Sequence, residues 1–309
     1  MRYVVDENGW SLPNEAGLTS ALDQFVELIS RCREEGGDIA KSGFLDYVEL
    51  LPGRDLWSVL SDATVDRDLR VAVQQALSRC VLWEDRYDLP DPVMASMGGA
   101  VSEAWSVSWA HARAGRREAC ALVVLDGTPR QGRKEVARGD DVRALHFVAT
   151  SRERLAFLRE LSEVENLQPD GYMELAPLAF PDLCFAEGLA AQCGRFSRRF
   201  DDVRATLTQH LAALNDEFQT IMRAHRGLPS EVQTAFRAKT GVDSSPESPN
   251  TKADAKAWGE RRIAFGGKET WCEWHTKLEP HRDRIYFHPG NSSMAGGRLI
   301  VGIFHLHLS

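Results

Sequence analysis

Apolar positions recur along this chain with two periods, and each period predicts a type of element. Leu18, Leu22, Phe25, Leu28, Ile29 and Cys32 fall three and four residues apart, on one face of a helix. Glu34-Glu35-Gly36-Gly37 ends that helix, with glycine where a left-handed cap is needed. The apolar stretch 44–51 closes on a Pro52-Gly53 turn. Asp55 to Leu60 and Asp68 to Trp83 read as two further helices, the second with a stripe of Leu69, Val73, Ala76, Leu77 and Cys80. Pro90 and Pro92 then break the chain, and Ser102 to Ala114 is a helix with Trp105 and Trp109 on one face. The uninterrupted apolar runs at 119–125 and 145–150 predict two buried strands.

The second half continues the pattern. Ser151 opens a helix that runs to about Glu165, and Pro169-Asp170-Gly171 reads as a turn. Two prolines, Pro177 and Pro181, argue against a regular helix through the apolar stretch Met173 to Phe185. The longest helix is expected from about Asp201 to Ala224, about 36 Å long, on the stripe Val203, Leu207, Leu211, Leu214, Phe218 and Ile221. The polar, proline- and serine-containing stretch 241–251 is the strongest linker candidate. The expected organisation is therefore a helix-rich α+β scaffold over 1–240, a linker over 241–256 and an antiparallel β module over 257–309. The fold class is α+β, with a small buried sheet in the first part and a C-terminal meander.

The last sixty residues switch to period two. Residues 271–278, 284–288 and 298–308 read as three strands of that meander. Alternation places Glu273, His275 and Lys277 on one face of the first, and Arg284, Tyr286 and His288 on one face of the second. It places Leu299, Val301, Ile303, His305 and His307 on one face of the third. If these faces coincide, they gather histidines for proton transfer with cations for an anionic transition state. His275 or His305 is then the general acid or base, Lys277 and Arg284 stabilise phosphate charge, and Tyr286 positions the substrate. A solvated face is the plainer alternative for each strand. A metal set of His305, His307, His275 and Glu273 is a third, resting on a weak His-x-His signal.

Composition changes this picture at two points. The 309 residues carry a net charge of −8, which argues against a surface that is basic all over. The average hides a split: residues 251–309 hold nine Lys/Arg against six Asp/Glu and five of the nine histidines. A polyanion partner is thus expected only at the C-terminal sheet. The loop 127–134, with Arg130, Arg133 and Lys134, reads as a solvated loop or a phosphate-binding one, without the spacing of a Walker motif. The six cysteines are scattered and form no CxxC pair, so reduced thiols in a cytoplasmic protein are expected. No apolar run is long enough for a membrane span, and Met1 to Glu7 has no apolar core of a secretory signal. No cofactor motif is present.

His275-x-Lys277, Arg284-Ile285-Tyr286-Phe287, Val301-Gly302-Ile303 and the terminal His-Leu resemble the sheet of RelE/ParE-type toxins. The segment also resembles the C-terminal module of uncharacterised bacterial proteins from mobile and antiphage-defence loci. There a Ser-Pro-Glu-Ser linker, here Ser245-Pro246-Glu247-Ser248, precedes the module. The resemblance covers about sixty residues and extends to Leu178–Phe185. It implies a component of a defence or toxin-like system that binds nucleic acid and cleaves RNA with basic and aromatic residues, without metal. The helix-rich remainder, which has no catalytic motif, leaves open a non-enzymatic scaffold or adaptor working with other proteins of the same system.

Overall fold

Helices and sheets are both present throughout, and the class is α+β. The computed structural model describes residues 2–84, 94–98, 100–279, 282–290 and 294–308. Pro90 and Pro92 lie outside the described residues. The chain divides into two compact units, Met1–Glu165 and Asn166–Ser309.

The first unit is built on an eight-stranded sheet. Its strands are β1 (Tyr3–Val5), β2 (Ile39–Lys41), β3 (Val81–Leu82), β4 (Met94–Met97), β5 (Ala100–Glu103), β6 (Ala121–Val123), β7 (Gly132–Arg138) and β8 (Asp141–Val148). Their spatial order is β3-β2-β1-β6-β8-β7-β4-β5, parallel through β8 and antiparallel beyond it. The helices α1 (Leu18–Glu34), α2 (Arg67–Ser78), α3 (Trp105–Gly115) and α4 (Ser151–Val164) belong to this unit. The central strands are continuous apolar runs because parallel strands are covered on both faces; Val4, Val5, Leu122 and Val123 have no exposed surface. Helix α4 starts at a capping box, in which Thr150 and Glu153 satisfy each other's backbone N–H groups. The expected helix through Trp83 stops at Ser78, and Val81 and Leu82 pair with Ala40 and Lys41. Trp83 itself is buried against Trp109, ring centroids 5.7 Å apart.

The second unit has a five-stranded sheet made of β9 (Leu183–Phe185), β10 (Ser244–Pro246), β13 (Trp274–Lys277), β14 (Arg284–His288) and β15 (Leu299–His305). A separate hairpin, β11 (Arg262–Phe265) with β12 (Lys268–Trp271), precedes β13. The sheet order is β9-β15-β14-β13-β10. The expected three-stranded meander is present at its centre, extended by β9 parallel to β15 and by β10 antiparallel to β13. Its helices are α5 (Pro169–Ala179), α6 (Phe200–Ala213) and α7 (Pro229–Thr240). Helix α6 continues through a π turn, Leu214–Phe218, into Gln219–Ala224, so the long predicted helix exists with one wide turn. Every residue of its predicted stripe is buried. Phe218, in the π turn, meets Phe236, Trp274 and Phe287 edge-on at 5.4, 5.4 and 4.9 Å. This packing covers one face of the sheet.

Three expectations are revised here. The turn at Pro169 is instead the first position of α5, where a missing N–H costs nothing, and Pro177 is tolerated near that helix's end. The boundary expected at 241–256 falls inside the second unit, whose limit is Asn166. That segment carries β10 and two short helices because Gly241 ends α7 in the left-handed region and Ser244 to Pro246 pair with β13. Finally, the ladder between β14 and β15 shifts register between Tyr286 and Phe287, leaving Gly302 unpaired. Ile303 and His305 therefore share a face with Tyr286 and Arg284, whereas Val301 lies opposite Phe287 on the other face. The expected common face of Leu299, Val301, Ile303, His305 and His307 does not form. A Cβ on Gly302 would run into Cys272 Sγ and lie 2.8 Å from Ile263 Cδ1, so the bulge favours glycine.

Candidate functional site

The candidate site residues of the second unit fall into two neighbouring rows of one sheet face. Cross-strand pairing aligns Ser245 with His275, Tyr286 and Ile303 in the first row. Two residues along, it aligns Lys277 with Arg284 and His305 in the second.

Apart from half-buried Ser245, the first row is buried. His275 retains 7% exposure, and Tyr286 none. His275 Nδ1 lies 2.7 Å from Glu247 Oε1, and its Nε2 lies 3.2 Å from Ser245 Oγ. A carboxylate on Nδ1 fixes the proton there, so Nε2 accepts from the serine hydroxyl. Arg261 brings its Nε within 2.8 Å of the other Glu247 oxygen and stands over the Tyr286 ring, 5.5 Å from its centroid. Burial works against the charge on Glu247, but the His275 hydrogen bond and the His275 and Arg261 charges outweigh it and hold the carboxyl below its usual range. Tyr286 accepts a 2.9 Å hydrogen bond from the Leu308 N–H, and burial raises its phenol above the usual value.

The second row is half-buried. Among the described residues, neither Lys277 nor Arg284 has a carboxylate partner, and Arg284 Nε is buried without a hydrogen bond. His305 lines a cleft of about 580 Å³, together with His307, Arg195, Arg262, Glu187 and Glu260. Burial, and next the charge of Arg284, lower the His307 ring below the usual histidine value. His305 Nδ1 accepts from the His307 N–H at 3.2 Å.

The five residues singled out from the sequence are thus separated. Lys277, Arg284 and His305 stand together, with His305 on an open cleft. His275 and Tyr286 are sealed in the layer beside them, so neither faces substrate from that cleft. Among the described residues no three His, Cys, Asp or Glu side chains form a group able to hold a metal ion. Ser245, Glu247 and Arg261 belong to the network but were hidden in the sequence. Proline and serine gave the segment 244–248 the look of a linker, although Ser-x-Glu is a strand alternation.

In the first unit, two of the three cations of loop 127–134 are engaged by carboxylates, and Lys134 is exposed. Arg130 pairs with Asp6 at 3.3 Å and Arg133 with Glu160 at 3.1 Å. Asp6 and Glu7 are buried just past the carboxyl end of β1, and burial raises both carboxyls, Asp6 also through the neighbouring Glu7 charge. Among the described residues, no helix is long and apolar enough to cross a membrane. No protein-family model matches the chain, and neither a curated protein nor a solved structure matches it.

Proposed function

We propose that the second unit is the working part of a bacterial defence or toxin-like protein, and that it binds nucleic acid and cleaves RNA. The support is the row Lys277, Arg284 and His305. Like charges directly opposite one another on a sheet destabilise it, and among the described residues no carboxylate pairs with Lys277 or Arg284. Such a row suits a phosphodiester, whose anionic oxygens supply the missing partner. The adjoining cleft adds Arg195, Arg262 and His307.

In this reading His307, held toward its neutral form, takes the proton of the ribose 2′-hydroxyl. The 2′-oxygen attacks phosphorus, and the bond to the 5′-oxygen breaks as His305 donates a proton to it. The products are a cyclic phosphate and a 5′-hydroxyl. Arg284 and Lys277 stabilise the extra charge on phosphorus in between. The test is a salt series of RNA and DNA binding, with cleavage assayed with and without EDTA. Binding is expected to weaken linearly in log salt, and cleavage to survive EDTA and fall at least tenfold in His305→Ala. Absence of salt-sensitive binding to either polymer sinks the proposal.

One observation favours a second reading, a non-enzymatic subunit of a multi-protein complex. Tyr47 is 84% exposed, and Phe44 and Trp57 expose 44% and 39%, aromatic surface of the kind enriched at protein–protein interfaces. Co-purification of a partner from the native host, lost in Tyr47→Ser, is what this reading expects. A monodisperse chain with intrinsic nuclease activity excludes it.

A further inference from the structure

Ser245, His275 and Glu247 make the contacts of an activated nucleophile, at a place distinct from the cationic row. Ser245 lies in the edge strand β10 and Glu247 just past its end, two residues on and held in line by its N–H to the Glu273 carbonyl, so both turn to one face; His275 lies directly opposite Ser245 on β13. One imidazole therefore bridges them, Nδ1 to the carboxylate at 2.7 Å and Nε2 to the hydroxyl at 3.2 Å. This is the donor–acceptor order by which a histidine draws the proton from a serine. Glu247 is held in turn by Arg261, which also donates to the Ala257 carbonyl at 2.6 Å. The relay is buried, with Glu247, His275 and Arg261 at 6%, 7% and 2% exposure, while Ser245 is half-buried at the sheet edge. His305 lies three strand spacings from Ser245, about 14 Å, so the hydroxyl stands apart from His305 although the two rows are neighbours.

The geometry points to Ser245 as a nucleophile that takes an acyl group from carboxylic esters. Its Oγ bonds to the ester carbonyl carbon as its proton passes to His275 Nε2, and Glu247 balances the imidazolium. The ester C–O bond breaks, and the alcohol leaves with that proton. Water then enters by the same route, giving its proton to His275, and releases the acid with Ser245 restored. Ser245 and His275 are the reacting groups; Glu247 and Arg261 are positioning residues.

The test uses the full chain and a fluorophosphonate probe, which forms an Oγ–P bond and expels fluoride. Mass spectrometry is expected to find one adduct, mapped to Ser245 and absent in Ser245→Ala. Glu247→Gln should slow labelling at least tenfold and change its pH profile, while Glu247→Asp keeps the profile. A burst of p-nitrophenol from p-nitrophenyl acetate should follow the same order. Circular dichroism confirms that each variant remains folded, and Ser245→Ala and Glu247→Gln suffice if a His275 variant does not fold. No adduct on Ser245 at concentrations that saturate a serine esterase, or equal labelling of the wild type and Glu247→Gln, overturns the assignment.

Discussion

Gly302 shows how one residue holds a face together. Any side chain there meets Cys272 and Ile263, so Gly302→Ala is expected to cost about 1–3 kcal/mol by overpacking. Gly194→Ala, with nothing within 4 Å of its added methyl, is the control, and urea titration of both variants measures the difference. His210 offers a second test. Its Nδ1 lies 2.7 Å from Thr276 Oγ1, and burial pushes its ring down to about 4. The unfolded chain, at an ordinary value near 6.5, then binds a proton that the folded chain refuses. Stability is complete above that value and is lost as pH falls from there toward 4, by on the order of 3 kcal/mol. His210→Gln should flatten this part of the stability profile in denaturant titrations at stepwise pH. At this scale the sequence revealed which residue types could do chemistry, and it placed Lys277, Arg284 and His305 on compatible faces. It did not reveal that His275 turns toward Glu247, because that pairing depends on which strand lies alongside.

At the scale of elements, long periodic segments were legible and short ones were not. The stripe of α6 and the strong cap of α4 declare themselves through many residues or a specific pair. Strands of two or three residues, such as Val81–Leu82 or Ser244–Pro246, are too short to display a period, and they form because a neighbouring strand offers its backbone. The bulge at Gly302 is invisible to strict alternation, so Val301 and Ile303, which alternation puts on one face, lie on opposite faces. The π turn has an energetic role that follows from its contacts. Phe218 sits between α7 and two strands, with no exposed surface, so Phe218→Ala is expected to cost about 3–5 kcal/mol. Thermal unfolding followed by near-ultraviolet circular dichroism reads that loss, and a cost below about 1 kcal/mol would show that the turn repacks.

For the whole molecule, the division at Glu165 alters the charge argument. Residues 166–309 carry equal numbers of acidic and basic side chains, so the entire −8 resides in residues 1–165. The basic balance of 251–309 is offset within its own unit, and attraction for a polyanion has to come from local arrangement, the cation row and its cleft. Residues 166–309 expressed alone are expected to unfold in one transition with an enthalpy of about 100 kcal/mol, measurable by calorimetry. A broad or absent transition would show that the unit needs the rest of the chain. The edge strand β10 sets a limit on how this unit associates. Glu247 donates its N–H inward to the Glu273 carbonyl, so the position before it, Pro246, turns toward the open side and has no N–H to offer. An incoming strand would find the hydrogen-bond ladder interrupted there. Self-association by sheet extension is thereby discouraged along this border by a single ring closure in the backbone.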